Sequence, residues 1–113
     1  MSDPKASFRM SVLLSAQRAL VGEVTSRMRQ IGVEFSPAYI RFIIWYDGPI
    51  GEDEKNNFDA GVISQVVADF PDPEHGDPLV GLKFIRCDAP TKIDYQGFDG
   101  DLVYGRSEPF EAS

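Results

Sequence analysis

From Ser7 to about Val24 the apolar residues Met10, Leu13, Leu14, Ala16, Leu20, Val21 and Val24 recur at helical spacing, with Arg9, Gln17, Arg18 and Glu23 between them. The pattern predicts an amphipathic helix, with Ser7 or Ser11 as its N-cap. Gly22 marks its frayed end, because a glycine inside a helix costs about 1 kcal/mol relative to alanine. The period then falls to two. Between Arg27 and Phe35, Ile31, Val33 and Phe35 point one way and Gln30 and Glu34 the other, as in a strand. Ser36-Pro37-Ala38 reads as a turn, since proline fixes φ and cannot continue a ladder. Tyr39–Tyr46 is the strongest strand signal in the chain, β-branched and aromatic and apolar on both faces. The two strands form a hairpin by proximity. After a turn at Asp47–Gly51, Glu52-Asp53-Glu54 opens a second helix, where carboxylates complement the positive end of the helix dipole. Its apolar stripe runs through Phe58, Val62, Ile63, Val66, Val67 and Phe70, and Pro71 and Pro73 stop it. A loop to Pro78, a strand over Leu79–Cys87, a loop over Asp88–Gly100 and a short strand over Leu102–Gly105 complete the order.

That order is αββαββ. Antiparallel hairpins with both helices on one face give an α+β two-layer sandwich built on a four-stranded, mainly antiparallel sheet. The single domain is expected to span residues 7–106, with a fraying tail at 1–6 and a polar tail at 107–113. A chain of 113 residues suits one core, and its 42% apolar and 12% aromatic content argues against global disorder. Two helices cover only one face of the Tyr39–Tyr46 strand, so its other face is expected to stay open. A single cysteine, Cys87, rules out an internal disulfide and fits a reducing compartment. The N-terminus lacks the basic start, apolar stretch and small-residue site of a secretory signal, and no apolar run approaches the roughly 20 residues of a membrane helix. The expected location is the cytoplasm.

Charge narrows the picture further. Residues 1–50 balance at +2 and residues 51–113 at −9, giving −7 overall. Such a surface repels nucleic acid and anionic lipid and attracts basic proteins, so neither nucleic acid nor membrane is an expected partner. Asp72, Glu74, His75 and Asp77 gather four ligand types in one loop. Their spacing matches neither a calcium loop nor a zinc motif, and they read as a solvated loop. A cation-binding or hydrolytic enzyme at Asp72–Asp77 is the lesser alternative. Asp99-Gly100-Asp101, near Asp88 and Asp94, reads as a turn. There is no CxxC pair, no HExxH and no phosphate-cradling glycine loop, and Cys87 suits a small buried position in a strand. No catalytic residue, metal or cofactor is expected. Trp45, Tyr46 and Asp47, beside Glu52, Asp53, Glu54 and Asp59, have the composition of a protein-binding hot spot. Alternation sends one of the two aromatics into the core and the other to the opposite sheet face.

Five segments carry a resemblance: Ser11–Gly22 (SVLLSAQRALVG), Trp45–Gly48 (WYDG), Glu52–Glu54 (EDE), Val66–Pro71 (VVADFP) and Leu102–Arg106 (LVYGR). Together, over roughly residues 10–106, the chain resembles a family of small acidic bacterial proteins similar in outline to immunity proteins, which neutralise colicin-type or contact-dependent toxins. Pro71–Pro78 and Thr91–Gly100 are longer here than in that pattern. The resemblance brings no catalytic residues and implies a non-catalytic binding protein. The leading reading is therefore a protein that docks a basic partner, a toxin domain, through acids at Asp47, Glu52, Asp53, Glu54 and Asp59, with Trp45 or Tyr46 as anchor. A homodimer with a structural or regulatory use, formed through a sheet edge or the open sheet face, is the second reading.

Overall fold

The computed structural model describes residues 4–72, 76–95 and 97–106. Its elements are α1 (Pro4–Leu20), β1 (Met28–Ser36), β2 (Tyr39–Tyr46), α2 (Glu52–Asp69), β3 (Leu79–Arg86) and β4 (Asp101–Gly105). Helix α1 opens on a proline, which is tolerated there because the first N–H has no intrahelical acceptor anyway. It stops four residues before the apolar period does. Gly22 takes φ +79°, and the Glu23 N–H donates to the Leu20 carbonyl at 3.0 Å, turning the chain toward β1.

The architecture is the expected α+β arrangement of two helices on a four-stranded sheet, in strand order β3-β2-β1-β4. Strands β1 and β2 form the expected hairpin through a two-residue turn, in register from Ile31↔Ile44 to Ser36↔Tyr39. The last two strands do not pair with each other. Strand β3 runs parallel to β2, from Tyr39↔Leu79 to Tyr46↔Arg86, and β4 runs antiparallel to β1 on the far edge. The reason lies in the connections. A parallel pair needs a crossover of a dozen or so residues, and the 18-residue α2 supplies it. Residues 88–100 then carry the chain across the sheet to its other edge.

The core lies between the helices and one sheet face. Ile31, Val33, Ile40, Phe42 and Ile44 pack there against Val12, Ala16, Ala19 and Leu20 of α1 and against Phe58, Val62 and Val66 of α2. Phe58 meets Phe84 of β3 edge-to-face at 5.9 Å between ring centroids, which fixes α2 over the parallel pair. The two helices are joined by the buried Ser15, whose hydroxyl donates to Asp69 at 2.6 Å. Arg18 donates to the same carboxylate oxygen at 2.9 Å.

Candidate functional site

Helix α2 presents the acids expected to meet a partner. Glu52, Asp53 and Asp59 are exposed, and none of the three makes an ion pair or side-chain hydrogen bond among the described residues. The one cation of the helix, Lys55, is turned inward, with its Nζ 5.5 Å from the centroid of the Tyr46 ring and 5.7 Å from that of Phe84. The outer surface of α2 therefore carries negative charge without an exposed positive one.

The other sequence-nominated residues sit differently. Glu54 is half-buried and accepts from the Thr25 hydroxyl at 2.8 Å. Asp47 accepts from the Ala89 N–H at 3.2 Å and from Arg106 at 3.2 Å, closing the corner where β2 ends. Tyr46 is 9% exposed, in edge contact with Phe84. Trp45, 2% exposed, points to the opposite sheet face, where Tyr95 and Phe98 each meet it edge-on at 5.3 Å. The face of β2 expected to be open is thus roofed by Tyr95 and Phe98 of the connection between β3 and β4, and Ile43 is buried with Trp45. The physical reason is that this loop brings its own apolar side chains, Tyr95 and Phe98, to cover apolar ones that the helices do not reach.

Three devices hold that roof. A bulge in β1 between Met28 and Gln30 lets Met28 enter the core while Arg29, buried, donates to the carbonyls of Cys87 at 2.9 Å and Thr91 at 2.6 Å. The Tyr95 hydroxyl donates to Gln30 Oε1. Glu34, buried on β1, uses Oε1 to accept from Arg41 Nε and Nη2, at 3.1 and 2.7 Å, and Oε2 to accept from the Asp99 N–H at 3.0 Å. Burial pushes the Glu34 carboxyl up. The Asp99 N–H, the Arg41 guanidinium and the charge of Lys83 outweigh burial and hold it below its ordinary value. Gly32 allows the close approach, since a Cβ there would meet Phe98 Cζ at 2.5 Å.

Between this roof and the β2–β3 surface lies a cleft of about 380 Å³, counting the space open to solvent. Ile43 and Ile85 line it with apolar surface, Trp45 and Phe98 form a wall, and the Glu34–Arg41 pair, Lys83 and Asp94 supply charge of both signs. The indole N–H of Trp45 has no acceptor among the described residues. A buried donor left unpaired costs about 1–3 kcal/mol, so this one stands out. Nothing in the sequence marked Arg29, Glu34, Arg41 or Lys83 as a group. A two-residue period on facing strands was the only available signal, and it says nothing of what covers the face.

Several acids of the second half serve the fold. Asp101 pairs with Arg9 at 2.8 Å, Asp69 with Arg18 at 2.9 Å and Asp88 with Arg86 at 3.0 Å. Arg86 first, then the Gly48 N–H, lowers the Asp88 pKa against the opposing effect of burial. In the loop considered for a cation, Asp77 accepts from the Asp72 N–H at 2.8 Å, and Glu74 and His75 lie outside the described residues. No group of three or more potential metal-ligating side chains occurs among the described residues. Cys87, placed in a strand by its sequence, follows the end of β3 and is half-buried. No helix among the described residues is long and apolar enough to cross a membrane.

Residues 9–108 match the sequence model of a family described as MafI2 immunity protein, and the chain belongs to that family. A search of curated proteins finds no match.

Proposed function

We propose that this member of an immunity-protein family neutralises a bacterial toxin in the cytoplasm by binding it through the outer surface of α2. The observation that carries the reading is the set of exposed, unpaired acids Glu52, Asp53 and Asp59 on a helix whose only cation is tucked against aromatic rings. Such a surface complements a basic patch on the toxin, steers the encounter and fixes register. Glu54 and Asp47, already bonded within the fold, shape the ends of this surface, and Tyr46 supports its first turn from behind through Lys55. Trp45 lies on the other side of the sheet and leaves the anchoring to the α2 side. The action is non-catalytic: bound toxin is blocked, not altered. One route to the homodimer reading, an open sheet face, is removed where Tyr95 and Phe98 cover Trp45.

The test is binding to the cognate toxin and protection from it. The triple variant E52K/D53K/D59K, which changes exposed positions and leaves the core untouched, is expected to weaken the complex by about tenfold or more and to lose protection in co-expressing cells. Unchanged affinity with an intact fold would rule out α2 as the docking surface.

A further inference from the structure

The sheet ends at β3, and no strand lies beyond it among the described residues. Its pairing with β2 runs in unbroken register from Leu79 to Arg86, with no proline and no bulge to blunt the outer edge. The ladder fixes where each backbone group points. The Leu79 N–H donates to the Ala38 carbonyl at 3.0 Å and the Cys87 N–H to the Tyr46 carbonyl at 2.8 Å. Alternate residues of a parallel pair bond to the neighbour, so the odd-numbered residues of β3 face β2. The N–H and C=O groups of Val80, Leu82 and Phe84 therefore point outward, as a template for another strand. Gly81 adds an independent observation. It takes no positive φ, and a Cβ there would meet nothing within 4 Å, so neither conformation nor packing within the chain calls for glycine. A glycine inside a strand marks sites where another backbone approaches closely.

This edge is complementary to itself in one register. Leu79, Gly81, Lys83 and Ile85 share one face, and Val80, Leu82 and Phe84 share the core-facing one. An antiparallel twofold centred on Leu82 keeps both faces in line and pairs outward backbone groups with outward ones. It sets the 67%-exposed Leu79 against Ile85 of the second copy, and Val80 against its Phe84. Lys83 then lies opposite Gly81, whose missing side chain leaves room for the lysine stem. A twofold centred on Lys83 would oppose two ammonium groups, and one centred on Gly81 would set Leu79 against Lys83 and shorten the overlap.

We propose that a second copy of this chain pairs antiparallel with the outer edge of β3, in the register centred on Leu82, to form a twofold dimer with one continuous sheet. The area buried by a single strand pair is at the low end for protein interfaces, so the dimer is weak and forms at micromolar concentrations or above. Each chain carries −7, so pairing tightens as salt rises, opposite to the docking of a basic toxin. The two associations are thereby separable.

Sedimentation velocity over about 5–500 µM reads the association, and amide exchange by NMR reads its register. The wild type is expected to pass from monomer to dimer across this range. The N–H groups of Val80, Leu82 and Phe84 are expected to gain protection about tenfold or more with it, while those of Gly81, Lys83 and Ile85, bonded to β2, are protected throughout. L79E, a change at an exposed position checked by an unaltered far-UV spectrum, is expected to stay monomeric. G81E and G81K both add a side chain where there is space, but one faces Lys83 of the second copy with opposite charge and the other with like charge. G81E is expected to dimerise about tenfold more tightly than G81K. A wild type that stays monomeric at the highest concentration overturns the proposal, and protection of the three outward amides only on adding toxin assigns the edge to the toxin instead. Dimerisation unaffected by L79E overturns the edge as its seat, and equal dimerisation of G81E and G81K overturns the register.

Discussion

Glu34 accepts from the Arg41 side chain with one carboxylate oxygen and from the Asp99 backbone with the other, and so ties the crossing loop to the hairpin. Because its pKa is held below the ordinary 4.5, the unfolded chain takes up this proton more readily than the folded one as pH falls. The stabilisation is therefore complete above about pH 4.5 and is lost as the pH drops through the lower folded value. E34Q should cost about 1–3 kcal/mol at pH 7, since it weakens a buried, charge-assisted pair of contacts. In urea melts from pH 7 down to pH 3, the gap between wild type and E34Q should close below pH 4.5. A gap independent of pH would show that the charge of Glu34 contributes nothing. Gly32 makes a second prediction at this scale. G32A places a methyl group against the Phe98 ring, so the ring must move off Trp45. Stability should fall by about 1–3 kcal/mol, as overpacking costs, and the emission of the single tryptophan should shift to the red. An unshifted spectrum would mean that Phe98 is not what shields Trp45. Neither role was legible in the sequence. Glu34 read as the polar half of an alternation and Gly32 as an unremarkable strand residue, because what lies above them comes from residues more than sixty positions later.

At the scale of elements the sequence was far more explicit. Local pattern placed both helices and all four strands, but it did not give every packing face: Met10, Leu14 and Val21 of the stripe expected for the first helix and Val67 of the second are exposed, while Val12, Ala16 and Ala19 face the core. Pairing is a different matter. Strand β3 has an alternating pattern that serves a parallel or an antiparallel neighbour equally well, so its place beside β2 depends on what α2 does. Phe58 settles that by meeting the Phe84 ring of β3 edge-on within the core it shares with Val62. F58A should accordingly cost about 3–5 kcal/mol, a large part of the 5–15 kcal/mol by which a domain this size is stable. V67A, on the exposed side of the same helix, should change stability by about 0.5 kcal/mol or less. Thermal or urea unfolding of the two variants side by side checks this. Equal losses would mean that α2 is held by its own helicity rather than by its seat on the parallel pair. The second helix also explains why part of the docking surface could be read in advance. Glu52 and Asp53 favour a helix start and point to solvent, so composition and position agreed, whereas the burial of Trp45 and Tyr46 depended on the loop and on β3.

For the whole molecule, the halves of the sequence are not halves of the surface. Arg9 and Arg18 from the basic first half neutralise Asp101 and Asp69 from the acidic second half. Part of the apparent −9 is thereby paired within the fold, and the unpaired share that remains on α2 is what a partner meets at a distance. Steering by such a field reaches about 30 Å at 0.01 M salt and about 8 Å at 0.15 M. The association rate with the toxin should fall by about tenfold or more between these conditions, while the dissociation rate, set by short-range contacts, changes much less. E52K/D53K/D59K removes the source of the field on α2 and should flatten the salt dependence of association as well as lower the rate. R9Q, at the exposed Arg9–Asp101 pair, releases one more acid far from α2 and should leave the slope nearly unchanged. Stopped-flow association of the three proteins at both salt concentrations decides the matter. The triple variant also brings the net charge from −7 to −1, so if it keeps the wild-type slope, electrostatic steering by this protein does not govern association.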